Sequence, residues 1–122
     1  MKKIHFMNLS DEAIKSLKKI AFFKTYSTNA PLHYQGQVPI VAYLIISGNI
    51  LLLKKDKICH KLTKGSLVGY QELFLNAPSM FTAKVLSDTE ICFIDKSTLL
   101  EIKNSKNKEM RLLFSELTTI SQ

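Results

Sequence analysis

The sequence predicts a mainly β fold, a small antiparallel β-barrel of the jelly-roll type with an N-terminal helix and C-terminal helices. Short apolar and β-branched segments recur at regular spacing between turns rich in Gly, Asn and Asp. One helical pattern precedes these segments, and further helical patterns follow them. The chain has 122 residues, 46% of them hydrophobic and 22% charged, so we expect one globular domain over residues 1–122.

The first predicted element is an amphipathic helix that runs to about Ile20. Ser10 is a favourable N-cap, and two acidic residues follow it in the first turn, where negative charge suits the helix dipole. Ile14, Leu17 and Ala21 recur at helical spacing. This pattern predicts one apolar face that packs against the barrel.

The strands of the barrel are predicted between about residues 24 and 95. The most apolar of them, at 40–46, is followed by a turn at Gly48 and an antiparallel partner. The predicted strands are 25–28, 32–34, 40–46, 49–54, 58–62, 67–68, 81–86 and 90–94.

The C-terminal helices are predicted at about 96–121. Asp95 or Ser97 caps the first of them, and a polar break follows it. The last segment carries an apolar stripe at i, i+3, i+4 and i+7, formed by Met110, Leu113, Phe114 and Leu117. The stripe is either part of the domain core or an interface, and we expect it to form a homodimer or to dock a partner.

The charge of the chain is strongly basic, with a formal net charge of +7. Arg111 is the only arginine, which argues against sequence-specific DNA binding because Arg is the preferred reader of guanine edges and phosphates. We also expect no direct DNA binding because the chain stops at Gln122 without a helix-turn-helix. The lysines at 54, 55, 57, 61 and 64 are either a solvated surface that keeps a hairpin soluble or a basic docking face.

Cysteine and histidine usage predicts no metal centre and no cofactor. Cys59 and Cys92 lie in separate predicted strands, which indicates two buried free thiols. His5, His33 and His60 are scattered without a His-x-His pair, so a cupin-type metalloenzyme is not expected. No apolar run reaches the roughly 20 residues of a membrane helix, and the N-terminus is a poor signal peptide, which predicts a cytoplasmic protein without membrane contact.

The segment 65–95 carries the most specific functional signal. It is GSLVGYQELFLNAPSMFTAKVLSDTEICFID, a strand, a tight Gly turn, a short helical turn, a Pro-containing loop and a hairpin. A Gly turn that leads into a helix exposes backbone N–H groups and can cradle an anion. The segment holds no Arg, however, and its only Lys is Lys84, well past the loop.

This arrangement resembles the cyclic nucleotide-binding domain of the catabolite activator protein and of protein kinase A regulatory subunits. The resemblance covers roughly residues 9–102 and rests on LSDEAIKSL, YQGQVPIVAYLIISGNILLL and LFLNAPSMFTAKVLSDTEICFIDKSTLLEI, with Gly36 and Gly48 in place. In that family the strand hairpin precedes a cassette that holds the cyclic phosphate. The resemblance implies a jelly-roll fold and a regulatory, non-enzymatic role.

The cassette itself departs from the family pattern. Gly69 matches the first Gly, but Tyr70 stands at the Glu that binds the ribose 2′-hydroxyl. Ser79 stands at the arginine, and Met80 at the small residue after it. The resemblance implies a degenerate ligand pocket formed by Gly69, Tyr70, Gln71, Glu72, Leu73, Ser79, Met80, Phe81 and Thr82.

Two side chains of this pocket, and one lysine that follows it in the sequence, each have two interpretations. Tyr70 either stacks on a base or packs with its hydroxyl at the rim. Glu72 either accepts a hydrogen bond from a ligand or is a solvated acid, the latter being expected. Lys84 either reaches a phosphate or faces solvent from its strand, and again we expect the latter. The bulk of Tyr70 and Met80 is expected to fill part of the cavity.

The missing arginine predicts that ordinary cAMP and cGMP binding has been lost. A guanidinium holds a phosphate through two charge-assisted hydrogen bonds, each contributing roughly 1.5–3 kcal/mol. Loss of both corresponds to about 3–6 kcal/mol, or on the order of a hundred- to ten-thousand-fold in affinity. We therefore expect a signalling module that acts through a protein partner or as a homodimer. The alternative is a sensor of a non-standard cyclic nucleotide or another small anion.

Overall fold

The structure, a computed structural model, describes residues 5–6, 11–106, 108, 111–112 and 115. The predicted N-cap Ser10 and the stripe Met110, Leu113, Phe114 and Leu117 lie outside these residues. In chain order the elements are β1 (His5–Phe6), α1 (Asp11–Lys18), β2 (Phe22–Tyr26), β3 (Ala30–His33), β4 (Ala42–Ser47), β5 (Ile50–Lys54), β6 (Lys57–Leu62), β7 (Ser66–Val68), α2 (Tyr70–Leu75), β8 (Thr82–Val85), β9 (Thr89–Ile94) and α3 (Lys96–Lys103).

The strands form two antiparallel sheets. One sheet has the order β1-β7-β4-β9-β2, and the other has the order β3-β8-β5-β6. The predicted mainly β jelly-roll architecture with flanking helices is confirmed. The two sheets are separate layers and are not closed into a barrel.

The alternation of side chains along β4 divides the interior into two clusters. Tyr43 and Ile45 point between the two sheets, whereas Ala42, Leu44 and Ile46 point to the opposite face of the five-stranded sheet. The intersheet cluster contains Tyr43, Ile45, Ile50, Leu52, Leu62, Val68, Phe81, Ala83, Val85 and Ile91. Both faces of β4 are therefore buried, which explains its nearly continuous apolar sequence.

The helices cover the other face of the five-stranded sheet. Leu17 of α1, Tyr70 and Leu73 of α2 and Ile102 of α3 join the β4 side chains in one buried cluster, here called the helix-side cluster. Each of the four is at most 4% exposed. No helix in the described part of the chain is long and apolar enough to cross a membrane.

Helix α3 begins where one of the two predicted caps lies. The Asp95 carboxylate accepts a hydrogen bond from the Thr98 backbone N–H at 2.7 Å, so Asp95 and not Ser97 is the N-cap. The hydrogen bond from the Thr98 backbone, followed by that from its side chain, lowers the pKa of Asp95. The cap is thus most effective with the carboxyl ionised, and it weakens as the pH falls through this lowered pKa.

Two strands differ from the sequence prediction for reasons of sheet geometry. Strand β1 was not predicted, because it has only two residues and is defined by its pairing with β7. Strand β3 includes Pro31, which lies between the predicted strands 25–28 and 32–34. The proline is tolerated because β3 lies at the edge of its sheet, where one row of N–H groups needs no partner.

The prediction of two buried thiols is half correct. Cys92 lies in the helix-side cluster, and burial raises the pKa of its thiol to about 12. Cys59 is exposed on β6. His60 and Leu62 pair with the buried Leu52 and Ile50 and point inward, so the alternation along β6 turns the intervening strand positions, including Cys59, outward.

Candidate functional site

The segment that follows β7 has the backbone expected of a Gly turn leading into a short helix. Gly69 adopts a left-handed conformation (φ 82°) before α2, and its carbonyl accepts a hydrogen bond from the Leu73 N–H at 3.0 Å. Asn76 ends the helix in the left-handed region (φ 55°). With only the six residues Tyr70–Leu75, α2 is too short to provide a strong anion site by itself.

Ser79, which the resemblance places at the family arginine, is buried and forms a small hydrogen-bond network. Its exposed fraction is 4%, and its hydroxyl donates to the Phe81 carbonyl at 2.8 Å. The same oxygen accepts from the Phe81 N–H at 3.2 Å and lies 2.9 Å from Nε2 of His33. Because the hydroxyl proton is directed to Phe81, Nε2 of His33 is the donor to Ser79.

The backbone of Ser79 is fixed as firmly as its side chain. The Gly36 N–H donates to the Ser79 carbonyl at 2.8 Å, and the Ser79 N–H donates to the Gln37 carbonyl at 2.7 Å. The turn after β3 and the loop after α2 are therefore joined like two short strands. A side chain at position 79 is held in one direction, toward His33.

His33 is a neighbour of Ser79 that could not be identified from the sequence. It lies on β3, is 6% exposed, and stacks on the ring of Tyr43 with the centroids 5.7 Å apart. The Tyr43 hydroxyl donates to the Leu32 carbonyl at 3.3 Å, and burial raises the pKa of Tyr43 to about 12. His33 and Ser79 are separated by 46 positions, so no local motif connects them.

Thr82 and Phe81 extend the network on either side. The Thr82 Oγ1 accepts a hydrogen bond from the Gln35 N–H at 3.0 Å. Phe81 is 8% exposed, belongs to the intersheet cluster, and meets the ring of His60 edge-on at 5.6 Å. Phe81 therefore fills interior space beside Ser79.

Tyr70 and Met80 do not lie with Ser79. Tyr70 is 4% exposed but belongs to the helix-side cluster, where it stacks on Phe74 at 6.1 Å and burial raises its pKa. This agrees with a packing role for Tyr70. Met80 is 49% exposed, so the expectation that its bulk fills the cavity is wrong.

Glu72 differs from its expectation as well. It was predicted to be a solvated acid, yet it is 6% exposed on α2, beside the half-buried Gln71 and the fully packed Leu73. The Glu72 carbonyl accepts a hydrogen bond from the Ala77 N–H at 2.9 Å, which tightens the loop after the helix.

Lys84 faces away from the network. On β8 its neighbour Ala83 pairs with His33 and points inward, so Lys84 points to the outer face of the sheet, where it is exposed. The expectation of a solvent-facing strand lysine is confirmed. Within residues 11–106, no three His, Cys, Asp or Glu side chains group in a way that could hold a metal ion.

The sequence matches one protein family. The family model of the cyclic nucleotide-binding domain matches residues 23–106, which are most of the chain. The chain belongs to the cyclic nucleotide-binding domain family. Domains of this family are generally regulatory. A comparison with curated protein sequences gave no match.

Solved structures of cyclic nucleotide-binding domains have the same fold. The catabolite activator protein of Thermus thermophilus is 20% identical with a TM-score of 0.68, over 93% of this chain and 52% of that one. A structure from a cyclic-GMP-dependent signalling pathway that regulates bacterial phytopathogenesis is 14% identical with a TM-score of 0.75, over 95% and 94%. The domain CBD2 of a protein kinase A regulatory subunit, bound to Sp-2Cl-cAMPS, is 17% identical with a TM-score of 0.65, over 92% and 72%.

These similarities support the fold, and their identities are too low to transfer a ligand. The chain spans about half the length (52%) of the Thermus protein, so the activity and partners of that whole protein do not follow from the match.

Proposed function

We propose that the chain is a non-enzymatic regulatory module that no longer holds ordinary cAMP or cGMP and acts through protein–protein contacts. The observation that carries the proposal is the state of Ser79. Where the resemblance places a guanidinium, a buried hydroxyl donates to Phe81 and accepts from His33. A group engaged inside the protein in this way offers no charge to a cyclic phosphate.

The charges around the segment support the same proposal. Lys84, the only lysine between Gly65 and Asp95, points to the outer face of its sheet and is exposed. Arg111 is the only arginine in the sequence, and it lies outside the 69–82 segment. Binding of an anionic nucleotide here would proceed without the paired, charge-assisted hydrogen bonds that such ligands need.

Titration calorimetry of the purified chain with cAMP and with cGMP tests this proposal. We expect no saturable binding at ligand concentrations up to about 0.1 mM, because the absent fork weakens affinity on the order of a hundred- to ten-thousand-fold. A cyclic nucleotide-binding domain that retains the arginine serves as the positive control under the same conditions. Micromolar affinity for either nucleotide would contradict the proposal, and binding of another small anion alone would favour a sensor.

Self-association is the first protein contact that we propose. The exposed apolar residues Phe74, Leu75 and Leu100 are 56%, 68% and 57% exposed on α2 and α3. The apolar stripe predicted from the sequence between residues 110 and 117 follows α3. Large apolar side chains that face water favour a partner.

Light scattering measures this association directly. We expect the mass of a dimer for the wild-type chain and the mass of a monomer for Phe114→Glu, because a charge in the stripe cannot be buried against a second copy. Ile40→Glu is the matched control, since Ile40 is 82% exposed on a loop far from the stripe in sequence. A monomeric wild-type chain at high concentration, or a dimer that survives Phe114→Glu, would count against this arrangement.

A further inference from the structure

The outer face of the four-stranded sheet is basic and partly apolar. In one row across the sheet, Leu51 of β5 pairs with Lys61 of β6 on one side and with Lys84 of β8 on the other. In the next row, Leu53 pairs with Ile58. We call these five residues the lysine face. Paired residues share a face of the sheet, so the five side chains form one surface.

The lysine face is open to solvent. Lys61 and Lys84 are exposed, and Ile58 is 63% exposed although it is a large apolar residue. The helix-side cluster covers the other sheet, so α1, α2 and α3 do not bury this surface.

The charge of this sheet has one sign. Its strands β3, β5, β6 and β8 contain Lys54, Lys57, Lys61 and Lys84 and no Asp or Glu. The acid nearest to them on the hairpin is Asp56, in the turn between β5 and β6. A surface with this composition attracts a partner of negative charge.

The edge of the sheet adds a second means of recognition. Strand β6 is the last strand in its sheet, so within the described residues one row of its backbone N–H and C=O groups has no strand partner. Such an edge can accept an extended segment as a further strand. Lysines on an edge often act only to prevent aggregation, but Ile58 on this edge does not serve that purpose.

We propose that β6 binds an extended acidic segment of a partner protein, which adds to the sheet as a fifth strand. On the face of the segment that continues the lysine face, an acidic side chain lies beside Lys61 and an apolar side chain lies beside Ile58. The backbone supplies the hydrogen bonds, and the acidic and apolar side chains that share this face supply the specificity. This inference rests on the proposed function, since it names the chemistry of one protein partner.

A second copy of this chain is a poorer match for the same edge. Strand β6 carries Lys57 and Lys61 and no acidic residue, so two copies paired through this edge bring lysines together without a counter-charge. Like charges placed directly opposite one another destabilise a sheet. The edge therefore favours an acidic partner over self-pairing.

Binding of synthetic peptides to the full chain tests this inference. The probe is a fluorescent peptide of about eight residues with the repeat Glu-Thr-Val-Thr, which places Glu and Val in turn on one face, with Glu→Gln and backbone N-methylated peptides for comparison. We expect saturable binding of the Glu peptide by fluorescence anisotropy, and at least about tenfold weaker binding of both comparison peptides. Binding also weakens when salt rises from about 50 to about 500 mM.

Two variants locate the site. The double variant Lys61→Glu and Lys84→Glu loses at least about tenfold in affinity, whereas the double variant Lys15→Glu and Lys96→Glu, at exposed positions of α1 and α3, makes the same charge change elsewhere and leaves affinity within about twofold. Equal loss in both variants would overturn the inference. Absence of peptide binding, including the case in which only phosphatidylserine vesicles bind, would also overturn it. The calorimetry with cAMP and cGMP is a separate measurement. Failure of this inference can therefore be distinguished from failure of the proposed function.

Discussion

Gly48→Ala is expected to destabilise the domain by about 2–5 kcal/mol, as measured by urea unfolding followed by circular dichroism. A non-glycine residue at φ 88° is strained by about 1–2 kcal/mol. A Cβ at position 48 would also lie 2.6 Å from Cα and 2.7 Å from Cβ of Thr89. Overpacking against a neighbour that cannot move adds about 1–3 kcal/mol. The total is a large part of the stability of a domain of this size.

Thr89 cannot yield easily to the new methyl group. It is fully buried on β9, and its hydroxyl accepts from the Asn49 N–H at 3.0 Å and donates to the Asn49 carbonyl at 3.3 Å. These bonds hold the turn between β4 and β5 against the start of β9. Only glycine gives both the backbone conformation and the clearance that this contact needs.

Gly36→Ala is the matched control for Gly48→Ala. Gly36 has nearly the same backbone conformation (φ +93°), but a Cβ there would meet no atom within 4 Å. We expect only the conformational part of the cost, about 1–2 kcal/mol. If the two variants were equally destabilised, the contact with Thr89 would not be the cause.

The sequence predicted a strand wherever the buried apolar residues follow one another in a single continuous segment. The run from 42 to 46 is apolar on both faces because β4 lies between the helices and the second sheet. The turn at Gly48 is equally visible as a Gly between apolar runs. The contact of that turn with Thr89 is not visible, since it depends on how β9 pairs with β4.

The candidate site, too, could be predicted from the sequence only in part. The absence of an arginine from residues 69–82 can be read directly from the sequence. The partner of Ser79 cannot, since His33 reaches it only through the pairing of β3 with β8 and the register shift between Pro31 and His33. The burial of Glu72 was also missed, because a six-residue helix is too short to show which of its faces is apolar.

Ser79→Ala is expected to destabilise the domain by about 2–4 kcal/mol and to leave its response to nucleotides unchanged. The hydroxyl connects the His33 ring to the Phe81 backbone through contacts of 2.9, 2.8 and 3.2 Å. Its removal takes hydrogen bonds away from several buried polar groups, each at a cost of about 1–3 kcal/mol when the group is not resolvated. Urea unfolding gives the change in stability, and calorimetry with cAMP gives the ligand response.

Ser87→Ala separates the loss of this network from the general effect of removing a serine hydroxyl. Ser87 is exposed in the turn between β8 and β9, so its replacement is expected to change stability by less than about 0.5 kcal/mol. If Ser79→Ala were as stable as Ser87→Ala, the Ser79 hydroxyl would not be held by His33 and Phe81 and would be available to a ligand. A stable Ser79→Ala domain would therefore remove the observation on which the loss of nucleotide binding is proposed, whereas a destabilised one shows that position 79 serves the fold.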